Sequence, residues 1–286
     1  MTSSGRSESR ELDNGLGTAE AVPLRKTMKF CRFELHNEVQ YGLIESQHGR
    51  EMIVGTCNPF VPGEPVRRFG DPLPFDKAKL HAPVTPSKII CVGRNYREHA
   101  KELGNEVPAD LLTFFKPPSS VIGPGATIVL PKLSQMVHHE SELGVVIGKR
   151  CRNVPRESAR DVILGYTCVN DVSARDLQKK DAQWTRAKGF DTFCPVGPIL
   201  AGGLDPWAGV GVECRVNGEV RQKGNTRDFV FPLDEIIRYV SQVMTLEPGD
   251  LIATGTPAGV GPLVAGDKVE VSVEGVGTLS NSVVDE

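Results

Sequence analysis

The sequence predicts an α+β fold that is mainly β, a mixed β-roll or sandwich with a small β domain ahead of it. Three observations carry this. Short apolar, β-branched segments recur along the chain, punctuated by Gly and Pro. Helical periodicity is confined to a few stretches that do not alternate regularly with strands, which argues against a doubly wound sheet. No GxGxxG or GxxxxGKS/T element occurs, so nothing suggests a dinucleotide or nucleoside triphosphate site.

In chain order, Met28 to Leu35, Val39 to Ser46 and Glu51 to Val54 read as strands of a small meander. Pro59, Pro62, Pro65, Pro72 and Pro74 then mark a linker. Ile89 to Val92 is a short buried strand closed by Gly93. Asn95 is placed to cap a helix from Tyr96 to Leu103, which Gly104 ends. Leu112 to Phe115, Leu143 to Ile147 and Tyr166 to Val169 read as strands, and Pro155 to Leu164 as a helix. Val212 to Val216, Asn217-Gly218 and Glu219 to Gln222 form the clearest hairpin, because Asn-Gly suits a type I′ turn. Pro232 to Met244 is the clearest helix, with Leu233, Ile236, Ile237, Val240 and Val243 on one face. Strands follow at Asp250 to Ala253, Lys268 to Val273 and Thr278 to Val283.

Composition narrows the function. A chain of 286 residues accommodates one large domain, or a large and a small one. The reading places a disordered tail at 1–27 (or coding upstream of a start near Met28), the small β domain and linker at 28–82, and the large domain at 83–286. The net charge of −3 and the lack of a basic stripe do not suggest a nucleic-acid binder. No stretch approaches the roughly 20 apolar residues that span a bilayer, and the N-terminus lacks the apolar core of a signal peptide. The seven cysteines are odd in number and include no CxxC pair, which argues against a disulfide framework and a zinc site and for a reducing cytoplasm.

The informative stretch is His138-His139-Glu140-Ser141-Glu142, leading into Leu143 to Ile147. Side chains alternate along a strand, so Glu140 and Glu142 point the same way. Two like charges on one face of a buried strand are expensive to desolvate unless something positive offsets them. Asp171 ends the next apolar strand and adds a third carboxylate. Three carboxylates leave open positions in the octahedral shell of Mg²⁺ or Mn²⁺, which the carboxylate and keto oxygens of a 2-oxo acid can fill. An isolated Glu-x-Glu is ordinarily a solvent-facing pair on an edge strand. Here the apolar run that follows, and the strand ending at Asp171, favour the metal. His138 and His139 have no partner at metal-ligand spacing, so at most a supporting role is expected of them.

Around this trio the signals are individually weak. His99 and Glu102 stand three apart on a helix, a spacing that brings a carboxylate to an imidazole and equally describes a surface pair. Arg175 and Gln178, again three apart, follow Asp171, and Arg suits a substrate carboxylate. Lys188 could stabilise an enolate or be an ordinary exposed lysine. Thr256 lies in the tight loop Thr254 to Gly261.

Taken in order, GRNYxxHxxE, HHESELGVVIGKR, NDVSARDLQ, WTRAKGFDTFCPVGP and LEPGDLIATGTPAGVG resemble the fumarylacetoacetate hydrolase family from about Lys88 to the C-terminus. The resemblance implies that family's mixed β-roll, a homodimer, and Mg²⁺ or Mn²⁺ on Glu140, Glu142 and Asp171. It matches His99 and Glu102 to a water-activating dyad on a lid helix, and Arg175, Gln178, Lys188 and Thr256 to substrate-contacting positions, where Lys188 would join the metal in stabilising an enolate. The parent enzyme's fourth acidic ligand has no equivalent here. The activity implied is hydrolysis of a C–C bond in a 2,4-dioxo acid of the acylpyruvate or fumarylpyruvate type, as in catabolism of aromatic compounds. The alternatives are an oxaloacetate decarboxylase or a 2-hydroxyhepta-2,4-diene-1,7-dioate isomerase. The partner implied is a small 2-oxo acid, with no nucleic acid and no membrane.

Overall fold

The computed structural model describes residues 27–286, apart from Leu103 and Asn105. The expectations for the tail 1–26 and for the helix at Leu103 lie outside these residues. Among the described residues, most regular structure is strand, in one large sheet and two smaller ones.

The large sheet holds the strands that build the site. They are β1 (Lys29–Leu35), β2 (Glu38–Gln47), β3 (Arg50–Thr56), β4 (Arg68–Pro74), β5 (Lys79–His81), β6 (Ile89–Gly93), β7 (Leu112–Lys116), β8 (Val121–Ile122), β11 (Ser141–Ile147), β12 (Ile163–Asn170), β14 (Cys194–Ala201) and β17 (Leu251–Ala253). Their order is β4-β3-β2-β1-β14-β12-β11-β17-β6-β7, with β5 on β1 and β8 on β14. The N-terminal meander therefore extends the main sheet, through the antiparallel pairing of β1 with β14. Part of the proline-rich stretch is the edge strand β4, where Pro72 and Pro74 are tolerated because an edge leaves amides unused.

The second sheet runs β16 (Glu219–Asn225), β15 (Gly211–Val216), β19 (Lys268–Val273), β20 (Gly277–Asp285), β9 (Thr127–Leu130). The third is a short ladder of β13 (Ser173–Ala174), β10 (Val137–His139) and β18 (Gly261–Pro262).

Both central strands, β11 and β12, are buried at every residue. Apolar runs without polar alternation produce this, because such a strand must be covered on two faces. Leu143, Val145 and Ile147 pack with Val271, Ile236 and Val240 on one side. Val146 packs on the other, with Ile89, Cys91, Leu251 and Ala253. Glu142 shares the parity of Val146, so period-2 geometry carries it towards β6 and β17.

Three local expectations are corrected. Asn95 does not cap the helix. Its side-chain amide donates to Thr254 O at 2.8 Å and Phe231 O at 3.2 Å, and its Oδ1 accepts from Phe231 N at 2.8 Å. The segment 155–164 is a 3₁₀ turn, Arg156–Ser158, and a single helical turn, Ala159–Val162, because Ile163 already belongs to β12. On the helix Leu233–Val243, the buried face is Leu233, Ile236, Ile237, Val240 and Ser241, and Val243 is exposed. Ser241 takes the inner position because its hydroxyl accepts from Val154 N at 2.9 Å. No helix among the described residues is long and apolar enough to cross a membrane.

Candidate active site

Glu140 sits at the joint between β10 and β11, Glu142 is the second residue of β11, and Asp171 follows the end of β12. The β11–β12 register pairs Ser141 with Asn170, which places the two strand ends side by side. Asp171 N donates to Glu140 O at 2.9 Å, and Glu140 N donates to Asn170 Oδ1 at 2.9 Å. The result is a buried cage in which one oxygen from each of the three carboxylates lies within 4.8 Å of the others. All three are hard oxygen donors, which suit Mg²⁺ or Mn²⁺.

Cations surround two of the three. Lys188 Nζ donates to Glu140 Oε2 and Asp171 Oδ2, both at 2.7 Å. Arg175 donates from Nη2 to Glu140 Oε1 and from Nη1 to Gln178 Oε1 at 2.8 Å. Lys116 donates to Asp171 Oδ1 at 2.6 Å and to Val172 O at 3.0 Å. Lys188 is 1 % exposed, so the exposed alternative for it is excluded. Among the described residues no cation is hydrogen-bonded to Glu142, and Gly255 N donates to its Oε2 at 2.7 Å.

The protonation pattern follows this asymmetry. Burial pushes the Glu140 carboxyl up, but Arg175 and then Lys188 outweigh it and hold it below the usual carboxylate range. Burial, then Asp171 and Glu140, push Glu142 well above that range. The cage is short of positive charge at Glu142, and a divalent cation shared by the three oxygens would supply it. Burial works against the charged form of Lys188, yet Asp171 and Glu140 raise its ammonium above the ordinary value. Arg175 Nε is buried with no partner among the described residues, a donor left for a ligand oxygen.

A cavity of about 440 Å³ opens over the cage, and His99, Glu102, Gln178, Thr256, Phe114 and Trp184 line it. His99 and Glu102 lie on the helix Arg97–Glu102, with His99 Nδ1 3.4 Å from Glu102 Oε2. Burial lowers the His99 pKa, and Glu140 is the largest influence opposing it. Glu102 also accepts from Gly259 N at 3.0 Å. Gly259 has φ +98°, and a Cβ there would stand 2.0 Å from Arg221 O, so this contact requires glycine.

The floor beneath Thr256 is a closed polar network. Gln222 Nε2 donates to Thr256 Oγ1 at 2.7 Å and to Pro257 O at 2.8 Å. Its Oε1 accepts from Ser141 N at 3.0 Å and lies 3.0 Å from His139 Nδ1. Thr256 Oγ1 donates to Ser141 O at 2.9 Å. His139 thus supports the floor through Gln222, while His138 Nδ1 is buried without a partner among the described residues.

Glu140, Glu142, Asp171, His99, Glu102, Arg175, Gln178, Lys188 and Thr256 all line one cavity, whereas His138 and His139 do not. Sequence reasoning passed over Lys116, Gln222 and Arg94. No sequence signal tied Lys116 to Asp171. It stands two residues after Phe114 on β7, so it shares the face that Phe114 turns to the cavity.

Comparison with known proteins agrees with this architecture. Residues 88–284 match the family described as fumarylacetoacetate (FAA) hydrolase C-terminal, and residues 28–83 match Rv2993c-like, N-terminal. The chain is 44% identical over 223 residues to oxaloacetate tautomerase YisK of Bacillus subtilis, covering 73% of this chain and 74% of that one. It is 46% identical over 200 residues to a mitochondrial oxaloacetate decarboxylase of Dictyostelium discoideum, covering 68% and 92%. The crystal structure of a 2-hydroxyhepta-2,4-diene-1,7-dioate isomerase from Mycobacterium marinum superposes with a TM-score of 0.82 at 43% identity, covering 91% of this chain and 99% of that one. Fold, carboxylate cage and relatives lead to one conclusion: this chain belongs to the fumarylacetoacetate hydrolase family.

Proposed function

We propose that the protein is a Mg²⁺- or Mn²⁺-dependent enzyme that enolises a four-carbon 2-oxo diacid, acting as an oxaloacetate tautomerase or decarboxylase. The observation that carries this reading is the Lys188 ammonium, buried against Glu140 and Asp171 at 2.7 Å and so adjacent to the seat of the ion. The relatives named for oxaloacetate chemistry support this reading over hydrolysis.

Glu140, Glu142 and Asp171 would hold the ion, which supplies positive charge to the keto oxygen of a 2-oxo acid and lowers the energy of the enolate. Lys188 adds a second charge at the same oxygen. Arg175, braced by Gln178, orients the adjoining carboxylate. In tautomerisation the C3–H electron pair moves into the C2–C3 bond, the C2–O π pair moves onto oxygen, and the proton lost from C3 is returned to that oxygen. Neutral His99, oriented by Glu102, takes the carbon proton. In decarboxylation the C3–C4 pair makes the same move as CO₂ leaves, and C3 is then protonated. Phe114 and Trp184 wall the cavity and limit water.

The test follows oxaloacetate by ultraviolet absorbance and by coupled pyruvate release, with and without Mg²⁺. Metal-dependent loss of the enol or keto form is expected, and equal rates without metal would end the proposal. The His99–Glu102 pair also favours a second reading, hydrolysis of an acylpyruvate by an activated water. Metal-dependent pyruvate release from acetylpyruvate, abolished by His99→Ala, would identify that reaction. An absorbance change on a 2-hydroxydienoate without pyruvate would identify an isomerase.

A further inference from the structure

We propose that Lys116 is a positioning residue that restricts Asp171 to one-oxygen coordination, and so tunes the cage to a small ion, Mg²⁺ or Mn²⁺, against Ca²⁺. The inference rests on the proposed metal-dependent reading and deepens it to the choice of ion.

Each cage carboxylate gives one of its oxygens to a fixed donor of the protein. Asp171 Oδ1 accepts from Lys116 Nζ at 2.6 Å, Glu142 Oε2 accepts from Gly255 N at 2.7 Å, and Glu140 Oε1 accepts from Arg175 Nη2. The oxygens left over are Glu140 Oε2, Glu142 Oε1 and Asp171 Oδ2, one from each side chain. Lys188 Nζ donates to two of these, Glu140 Oε2 and Asp171 Oδ2, at 2.7 Å, which marks the side of the cage where positive charge gathers. A carboxylate oxygen has more than one lone pair, so an ammonium and an ion can share it.

The committed oxygens are hard to release. Gly255 is held at φ +99°, and a Cβ there would stand 2.6 Å from Asn95 Cβ, so its amide keeps its place. Lys116 ends β7, pairs with Ile89 of β6 and is 1 % exposed. Its ammonium donates to Val172 O at 3.0 Å as well as to Asp171. For Asp171 to turn both oxygens to an ion, it must break a charge-assisted bond and strand a buried ammonium.

Ions differ in what this costs them. Mg²⁺ takes about six oxygens in a near-octahedral array and is served by single oxygens, with the remaining positions open to water or a ligand. Ca²⁺ collects about six to eight, commonly by using both oxygens of a carboxylate. A cage whose second oxygens are committed satisfies the first ion and leaves the second short. Lys116 is the donor that can be removed cleanly, because it lies outside the cavity wall and has no part in the proposed chemistry.

The test is calorimetric titration of full-length protein with Mg²⁺ and with Ca²⁺. The wild type is expected to bind Mg²⁺ more tightly. Lys116→Met removes a like charge, so both ions should bind better, but freeing Asp171 Oδ1 should shift the ratio of affinities towards Ca²⁺ by roughly tenfold. Lys188→Met is the control. It also removes a like charge but releases no committed oxygen, so its ratio should stay within about twofold of wild type. Infrared difference spectra of wild-type protein with and without Mg²⁺ should show the widely separated carboxylate stretches of one-oxygen binding, which decides the matter should Lys116→Met fail to fold. An unchanged ratio in Lys116→Met, a ratio shifted as far by Lys188→Met, a wild type that binds Ca²⁺ as tightly as Mg²⁺, or chelating carboxylate bands with Mg²⁺ would each overturn the proposal. The reaction itself is decided separately. Wild-type protein that selects Mg²⁺ but leaves oxaloacetate unchanged sinks the activity alone. Mg²⁺-dependent turnover without selection against Ca²⁺ in binding sinks this inference alone.

Discussion

The cage and the dyad are built on different scaffolds. Glu140, Glu142 and Asp171 emerge at the ends of two strands buried along their whole length, and every member is at most 4 % exposed. His99 and Glu102 ride a six-residue helix, and the Glu102 side chain is one-third exposed. Groups that must hold charge in a fixed place sit on the stiffest elements, where reorganisation is smallest. The proposed proton-transfer pair sits on an element too short to be stable without its tertiary contacts. Charge stabilisation and proton transfer should therefore fail independently.

The largest expected effect breaks the cage alone. Glu142→Gln keeps an acceptor for Gly255 N and removes a carboxylate that burial and its neighbours already disfavour. Turnover should fall by on the order of 10³-fold. The metal-free Tm should hold or rise, and the increase in Tm on adding Mg²⁺ should vanish. A metal-dependent Tm that survives in this variant would separate Glu142 from the ion.

Lys188→Met sharpens the same side. Loss of the ammonium should lower kcat by on the order of 10²- to 10³-fold. Mg²⁺ affinity should tighten, because a like charge has left Glu140 and Asp171. Weaker metal binding would make Lys188 a support for the cage instead of a partner to the enolate.

His99→Ala tests the other side, with turnover down by about 10²-fold and metal affinity unchanged by calorimetry. A pH limb is expected from the dyad. The folded-state pKa of His99 is depressed, so the proposed base should act above that value and lose this role as pH falls through it, on the acid side of 6.5. The stability linked to its neutral form is likewise present above 6.5 and is lost as pH falls towards the folded value. Glu102 favours the charged imidazole, so Glu102→Gln should move the acid limb of the rate profile to lower pH. A shift the other way would show that Glu102 does not act through His99. The smallest expected effect is on the floor. Gln222→Ala leaves several buried polar groups unsatisfied and should cost about 2–3 kcal/mol, read in chemical denaturation.

The cage was legible in the sequence because its geometry is local. Period-2 alternation aligns Glu140 with Glu142, and an apolar strand ending in Asp171 lies within the reach of one antiparallel pairing. Lys116 was not legible, because it meets Asp171 only through the β11-β17-β6-β7 order of the sheet. Arg94 was hidden for a different reason. Its left-handed backbone lies beside Asn95, whose partners at Thr254 and Phe231 lie far along the chain. The same distant partners defeated the capping role expected of Asn95. Ser241 replaced Val243 on the inner helix face because a polar contact at Val154 outweighed apolar periodicity.

One carboxamide has a consequence for how the molecule fails when heated. Gln222 belongs to the second sheet, yet its hydrogen bonds are made to β11 and to the loop carrying Thr256. The Thr256 loop is thereby anchored to two layers at once, and neither layer can peel away while it stays in place. Inactivation and melting should coincide in one transition, leaving no partly unravelled species that still turns over substrate.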